Sequence, residues 1–229
     1  MKIAGKLLAL LLAAALLAAL FGCSLSPKSK NRDPVTPETT AEPTSPARAD
    51  DLSAVNALFA DLFRTLTRAQ TSVSYNDPAV GTTLSAFSTL TKDGDNLTYR
   101  ATVDRVNSAD EDRFLTSETL PPVTGTVEEI RENCSDLIVW DRVATGLVLS
   151  TPAFTEGNLA SPVIRRDKGE KTLAAFVPDE KLEAFFGLAL SGVSGMQISV
   201  TYSDRAVRAL SLSYTAGEAT VKVSVAYTY

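Results

Sequence analysis

Met196-Gln-Ile-Ser-Val-Thr-Tyr202, Leu210-Ser-Leu-Ser-Tyr214 and Val221-Lys-Val-Ser-Val-Ala-Tyr227 decide the fold of this 229-residue chain. In each stretch apolar and polar side chains alternate, so a strand built from it has one dry and one wet face. Asp204-Arg205 separates the first two stretches and Ala216-Gly217-Glu218 the last two. Three such runs joined by short turns predict an antiparallel meander. Leu97, Tyr99, Ala101 and Val103 repeat the pattern upstream, behind a Lys92-Asp93-Gly94-Asp95 turn. Gly94 supplies the positive φ that such a turn needs. The residues before that turn, 82–91, are ambiguous, because Leu84, Phe87 and Leu90 do not share one phase.

Further strands are expected at 114–120, stopped by Pro121-Pro122, and at 172–177. Leu137-Ile-Val-Trp140 and Gly146-Leu-Val-Leu149 read as buried strands, with a polar loop at 107–113. Trp140 is expected in the core, and Arg165-Arg166 on solvated surface.

Helical spacing is clearest from Asp51 to about Val73. Val55, Phe59, Leu62, Leu66, Ala69 and Val73 recur at steps of four and three, with Leu52, Leu58 and Phe63 widening the stripe. Asn56, Asp61, Arg64 and Arg68 occupy the other side, which predicts one buried and one wet face. Asp50, Asp51 or Ser53 is suited to cap its start. A second helix is expected after Pro178-Asp179-Glu180, since proline fits the first helical position and acids favour the first turn. Leu182, Phe185, Phe186 and Leu190 form its apolar side, with Gly192 and Gly195 ending it. A curved antiparallel sheet with its dry face closed by a few amphipathic helices is an α+β domain. About 180 residues, 51–229, suffice for one such domain with its own core.

The first residues carry a different message. Lys2 and Lys6 precede an unbroken Leu/Ala run from Leu7 to Leu20, and Leu20-Phe21-Gly22-Cys23 ends it. The run is shorter than the roughly 20 residues a helix needs to span a bilayer, and the order of charge, apolar run and small residue reads as an export signal. It resembles the lipobox of bacterial lipoprotein signal peptides, with Phe21 a less usual occupant of its position. The resemblance implies removal of residues 1–22 and lipid attachment at Cys23, and hence an extracytoplasmic protein held to a cell membrane by its acyl chains. Residues 24–50 contain Pro27, Pro34, Pro37, Pro43 and Pro46 among Thr, Ser, Glu and Lys. Such a segment cannot bury enough surface to offset its ordering entropy, so 23–50 is expected to be a disordered tether reaching about 30 Å.

Composition excludes much else. Without residues 1–22 the chain has 20 basic against 27 acidic side chains, a net charge of −7. Nucleic acid, whose phosphates demand a basic surface, is therefore not an expected partner. The chain has no histidine, which removes His-based zinc sites and Ser-His or Cys-His catalysis. No serine stands three residues before a lysine, and there is no G-x-S-x-G, P-loop or G-x-G-x-x-G. No metal, cofactor or enzymatic activity is expected. A carboxylate-dependent hydrolase survives only if two buried acids share a cleft. With Cys23 lipidated, Cys134 has no disulfide partner and reads as a quiet, half-buried thiol.

The opening helix, the Phe176-Val-Pro-Asp-Glu-Lys-Leu182 helix start and the meander from Met196 to Tyr229 resemble in layout the half-barrel superfamily of bacterial lipoprotein carriers and mycobacterial lipid-carrying lipoproteins. That resemblance implies a concave face holding acyl chains. Leu97, Tyr99, Val103, Leu147, Leu149, Ile198, Val200, Leu212 and Val223 would then line a ligand cavity; a solid core at the same positions is the alternative. The expected function is a monomeric, non-enzymatic envelope lipoprotein that binds or shuttles a lipid or other apolar ligand. A structural or protein-interaction module of the envelope is the competing reading.

Overall fold

The computed structural model describes residues 44–79, 81–107, 114–137 and 148–229. They belong to one compact unit, Ala41–Tyr229. Its elements in chain order are β1 (Ser45–Pro46), α1 (Ala49–Ala60), α2 (Leu62–Thr65), β2 (Arg68–Asp77), β3 (Thr82–Asp93), β4 (Asn96–Asn107), β5 (Phe114–Thr119) and β6 (Val123–Gly125). Then follow α3 (Val127–Leu137), β7 (Ala160–Asp167), β8 (Glu170–Phe176), a 3-10 turn (Asp179–Lys181), α4 (Leu182–Phe186), β9 (Val193–Tyr202), β10 (Val207–Ala216) and β11 (Ala219–Thr228).

The strands form one open, curved sheet of 11 strands in the order β1-β7-β8-β9-β10-β11-β2-β3-β4-β5, with β6 also on β4. Every pairing is antiparallel, including β11 with β2, which joins the C-terminal meander to the earlier strands. Helices cover one face, giving the α+β, half-barrel-like arrangement expected from the alternating stretches. Leu52, Val55 and Phe59 of α1 join Ile164, Leu173, Val200, Leu210, Leu212 and Val223 of the sheet in a single buried cluster. Phe59 stacks on Phe154 at 5.5 Å, Phe154 meets Phe185 edge-on at 5.1 Å, and Phe185 meets Phe186 at 4.7 Å. Each such pair adds about 0.5–1.5 kcal/mol beyond its area burial.

Several local expectations are corrected. The first helix does not run to Val73: α1 ends at Ala60, Leu66 is already extended, and residues 68–77 are β2. Ala69 and Val73 stand four apart, a spacing that satisfies a helix stripe and a strand face equally. Thr71 between them decides the matter, because it is buried on the same face, as only a strand allows. The folded chain also begins before Asp51: Ser45 and Pro46 pair with Ile164 and Val163 of β7. Asp51 serves the helix start from the third helical position, its carboxylate accepting the Arg48 N–H at 3.1 Å.

Asn56 is not on a wet face. Its side-chain amide donates to the Phe154 carbonyl and accepts the Phe154 N–H, both at 2.8 Å, clamping α1 to the segment after Ser150. Arg166 is exposed, as expected, but it is tied at the surface. Its guanidinium bonds the Asp51 carboxylate at 3.0 Å and the Ser45 hydroxyl at 3.2 Å, tying β1 and α1 to β7.

The second expected helix ends at Gly187 with φ 67°, not at Gly192, and Gly195 lies inside β9. Its N–H donates to the Asp179 carboxylate at 2.9 Å. Leu137 closes helix α3 instead of opening a strand, and Val148 and Leu149 lie in a helical turn. Thr126-Val-Glu-Glu129 explains α3: the Thr126 hydroxyl accepts the Glu129 N–H at 3.2 Å and the Glu129 carboxylate accepts the Thr126 N–H at 2.8 Å. This reciprocal capping starts a helix. Residues 108–113 of the expected loop, residues 138–140 with Trp140, and residues 141–147 lie outside the described residues.

Candidate functional site

Strand alternation divides the site question between two faces of one sheet. On the helix-covered face lie the positions expected to line a cavity. Leu97, Tyr99, Leu149, Ile198, Val200, Leu212 and Val223 are all 5 % exposed or less and belong to the packed cluster. Val103 is half-buried against its margin. Leu147 and the candidate lipid-attachment residue Cys23 lie outside the described residues, as does the side chain of Cys134.

The opposite face carries the alternate residues. Register sets Val163, Ala174, Ser199, Ser211, Ser224, Ser72 and Phe87 side by side across β7, β8, β9, β10, β11, β2 and β3. A groove of about 540 Å³ lies over β7 to β11, walled by Ala160, Val163, Ala174 and Phe176 and floored by Ser199, Ser211 and Ser224. Ile198, Leu212 and Val223 also border it. Their side chains point into the core, so they present backbone there. Lys222 is the one charged residue in its lining.

A second groove of about 440 Å³ continues over β11, β2 and β3, past Ser72, Thr89 and Phe87, and shares Ser211 and Ser224 with the first. Phe87 and Phe176 are 56 % and 40 % exposed, the two most exposed large hydrophobic side chains of the described residues. Sequence reading assigned this face to solvent and missed the grooves. Its available signal was the phase of Phe87, which breaks the Leu84, Ala86, Leu90 alternation and so points away from the core.

No described Asp or Glu is buried, so no pair of buried acids faces a cleft among the described residues. Nor do His, Cys, Asp and Glu cluster there as metal ligands would. No described helix is long and apolar enough to cross a membrane. The Lys171 ammonium, hydrogen-bonded to Asp204, holds that exposed carboxylate below its ordinary range, and the other perturbed groups are tyrosines. Burial, then the nearby Asp51 carboxylate, pushes Tyr202 from its ordinary 10.0 up to about 12. Burial likewise pushes Tyr227 upward. Both hydroxyls are buried without a protein partner among the described residues.

No protein-family model matches the chain, and no curated protein matches it. Among solved structures it is similar to LprF from Mycobacterium bovis, over 80 % of this chain and 94 % of that one, at 12 % identity and a TM-score of 0.38. It is also similar to an N-terminal dehydratase from the difficidin assembly line, over 80 % of this chain and 88 % of that one, at 11 % identity and a TM-score of 0.16. Likenesses this loose carry no argument about function, and the fold rests on the strand order itself.

Proposed function

We propose that the chain is an extracytoplasmic lipoprotein, cleaved after Gly22 and anchored through acyl chains on Cys23, whose half-barrel binds an acyl-chain amphiphile without chemical turnover. The observation that carries the binding reading is the groove of about 540 Å³ on the open face. Its size lies within the 300–1,000 Å³ range of small-molecule sites. Alanine, valine and phenylalanine walls suit a hydrocarbon chain, and Lys222 at its border suits an anionic headgroup. Burial of a chain against Phe176 removes apolar surface from water at about 25 cal/mol per Å². The position of the ligand differs from the sequence expectation: the helix-covered positions serve as core, and the opposite face is the binding surface. The Leu20-Phe-Gly-Cys23 motif and the proline-rich stretch after it support the anchor and a tether leading to β1.

The test is direct. Protein purified from membranes is examined by native mass spectrometry for a retained acyl lipid and titrated with a fluorescent fatty acid. Retention of lipid, and uptake weakened by Lys222→Glu, are expected. An unacylated amino terminus overturns the anchor, and absence of both lipid and uptake overturns the binding role.

A further inference from the structure

On the reading that Cys23 anchors the chain, and whatever the groove binds, we infer that one end of the sheet docks on an anionic phospholipid surface. It is the end that carries the β7–β8 and β9–β10 turns. Strand direction selects it. Ser45 and Pro46 of β1 pair antiparallel with Ile164 and Val163 of β7, so β1 enters the sheet from the side of the β7–β8 turn. Asp167 and Glu170 close that turn, and the Lys171–Asp204 pair at 2.8 Å sets the β9–β10 turn beside it. Thr44 stands 21 residues after Cys23, a reach of about 25 Å for a coil. A connection of that length brings this end to the headgroups without holding it there. Charge supplies the hold.

Beyond residue 22 the chain has a net charge of −7, yet this end does not share the excess of acid. Arg64, Arg166 and Lys171 are neutralised there by Asp61, Asp51 and Asp204. Arg48, Arg68, Arg165, Lys168, Arg205 and Arg208 remain, all exposed and outside any ion pair among the described residues. Asp50, Asp167 and Glu170 are the acids left beside them, so six cations against three anions leave +3 over β7 to β2. The patch stops at the β3–β4 turn, where Asp93 and Asp95 outnumber Lys92. The opposite end reverses the sign. At its turns Asp77, Asp179, Glu180, Glu183 and Glu218 stand against Lys181, five anions to one cation, a balance of −4. This asymmetry orients the domain in the field of an anionic leaflet, drawing in the end nearest the anchor and repelling the far one. Within a screening length of about 8 Å, each Lys or Arg at the surface favours the docked state by about fivefold.

The experiment places the full processed protein in vesicles of phosphatidylcholine, alone or mixed with phosphatidylglycerol. Hydrogen exchange is then read by mass spectrometry over residues 165–171 and 203–208, with 178–183 and 216–219 as the far-end control. Phosphatidylglycerol should slow exchange in the first two segments by at least about fivefold, the worth of one surface cation, and leave the control segments unchanged. Salt at about 1 M, which shortens the screening length to about 3 Å, should restore the rates. The double variant Arg165→Glu, Arg205→Glu should do the same at low salt. Both side chains are exposed and outside any ion pair, so folding should survive; the salt arm tests the same charge dependence without any substitution. Equal exchange in the two vesicles, slowing that persists at high salt, or slowing at 216–219 instead overturns the docked orientation and leaves the anchor standing. Failure to float with phosphatidylcholine vesicles overturns the anchor, and this orientation with it.

Discussion

Tyr227→Phe should stabilise this protein, whereas Tyr229→Phe, two residues away, should destabilise it. The Tyr227 ring is packed in the core at 6 % exposure, and its hydroxyl has no protein partner. An unsatisfied buried hydroxyl costs about 1–3 kcal/mol, and phenylalanine keeps the ring while deleting that group. A gain of about 1 kcal/mol is expected, which raises Tm by roughly 2–4 °C for a chain of this size. The Tyr229 hydroxyl, by contrast, donates to the Val207 carbonyl at 2.8 Å. Its deletion removes a bond worth about 0.5–1.5 kcal/mol and should lower stability by that amount. Urea unfolding followed by circular dichroism at pH 7 measures both, with an unchanged m-value as the sign that only stability moved. Equal losses in the two variants would refute the reasoning, because they would mean that the Tyr227 hydroxyl is as well satisfied as that of Tyr229.

Alkaline pH provides a related test. Tyr202 titrates near 12 in the folded protein against an ordinary 10.0. Between those values the unfolded chain has lost the proton and the folded one keeps it, so the stabilising contribution is complete below pH 10 and lost as pH rises towards 12. Tyr202→Phe should flatten the stability-versus-pH curve in that window. Phe154→Ala should cost about 3–5 kcal/mol in urea unfolding, since the ring bridges Phe59 and Phe185 at the centre of the aromatic cluster. Arg166→Ala should cost about 1 kcal/mol and speed hydrogen exchange at Ala47, whose N–H bonds the Pro162 carbonyl beside β1. Cys23→Ala should yield an unacylated precursor, read by intact mass; unchanged acylation would remove Cys23 as the attachment point.

The meander was legible because its strands are half-buried: Val221, Val223, Val225 and Tyr227 are buried while Lys222, Ser224 and Ala226 are exposed, so the burial period is written in residue type. The same physics failed at Ala69 and Val73, where a four-residue interval fits both periods and only the burial of Thr71 separates them. Helix α3 was lost for another reason. Its signal is the reciprocal Thr126/Glu129 cap, a polar pattern that a search for apolar runs passes over. The grooves were hidden because they are products of register. Nothing local in Ser199, Ser211, Ser224 and Ser72 places them in one row; three separate strand pairings do that, and each is a long-range contact.

The register also explains how one sheet can hold a core on one face and a groove on the other. Side chains at consecutive strand positions point to opposite faces. Leu212 and Val223 can therefore be buried at 2 % and 1 % exposure while their neighbours Ser211 and Ser224 floor the groove. The helix-covered side gains its stability from tight packing, in which a single lost methylene is felt. The open side carries the reverse, small side chains such as Ser199, Ser211 and Ser224 beside the exposed ring of Phe176. Burial of Ile198, Val200, Leu212 and Val223 fills the helix-covered face and leaves the alternate residues of the same strands to the open face.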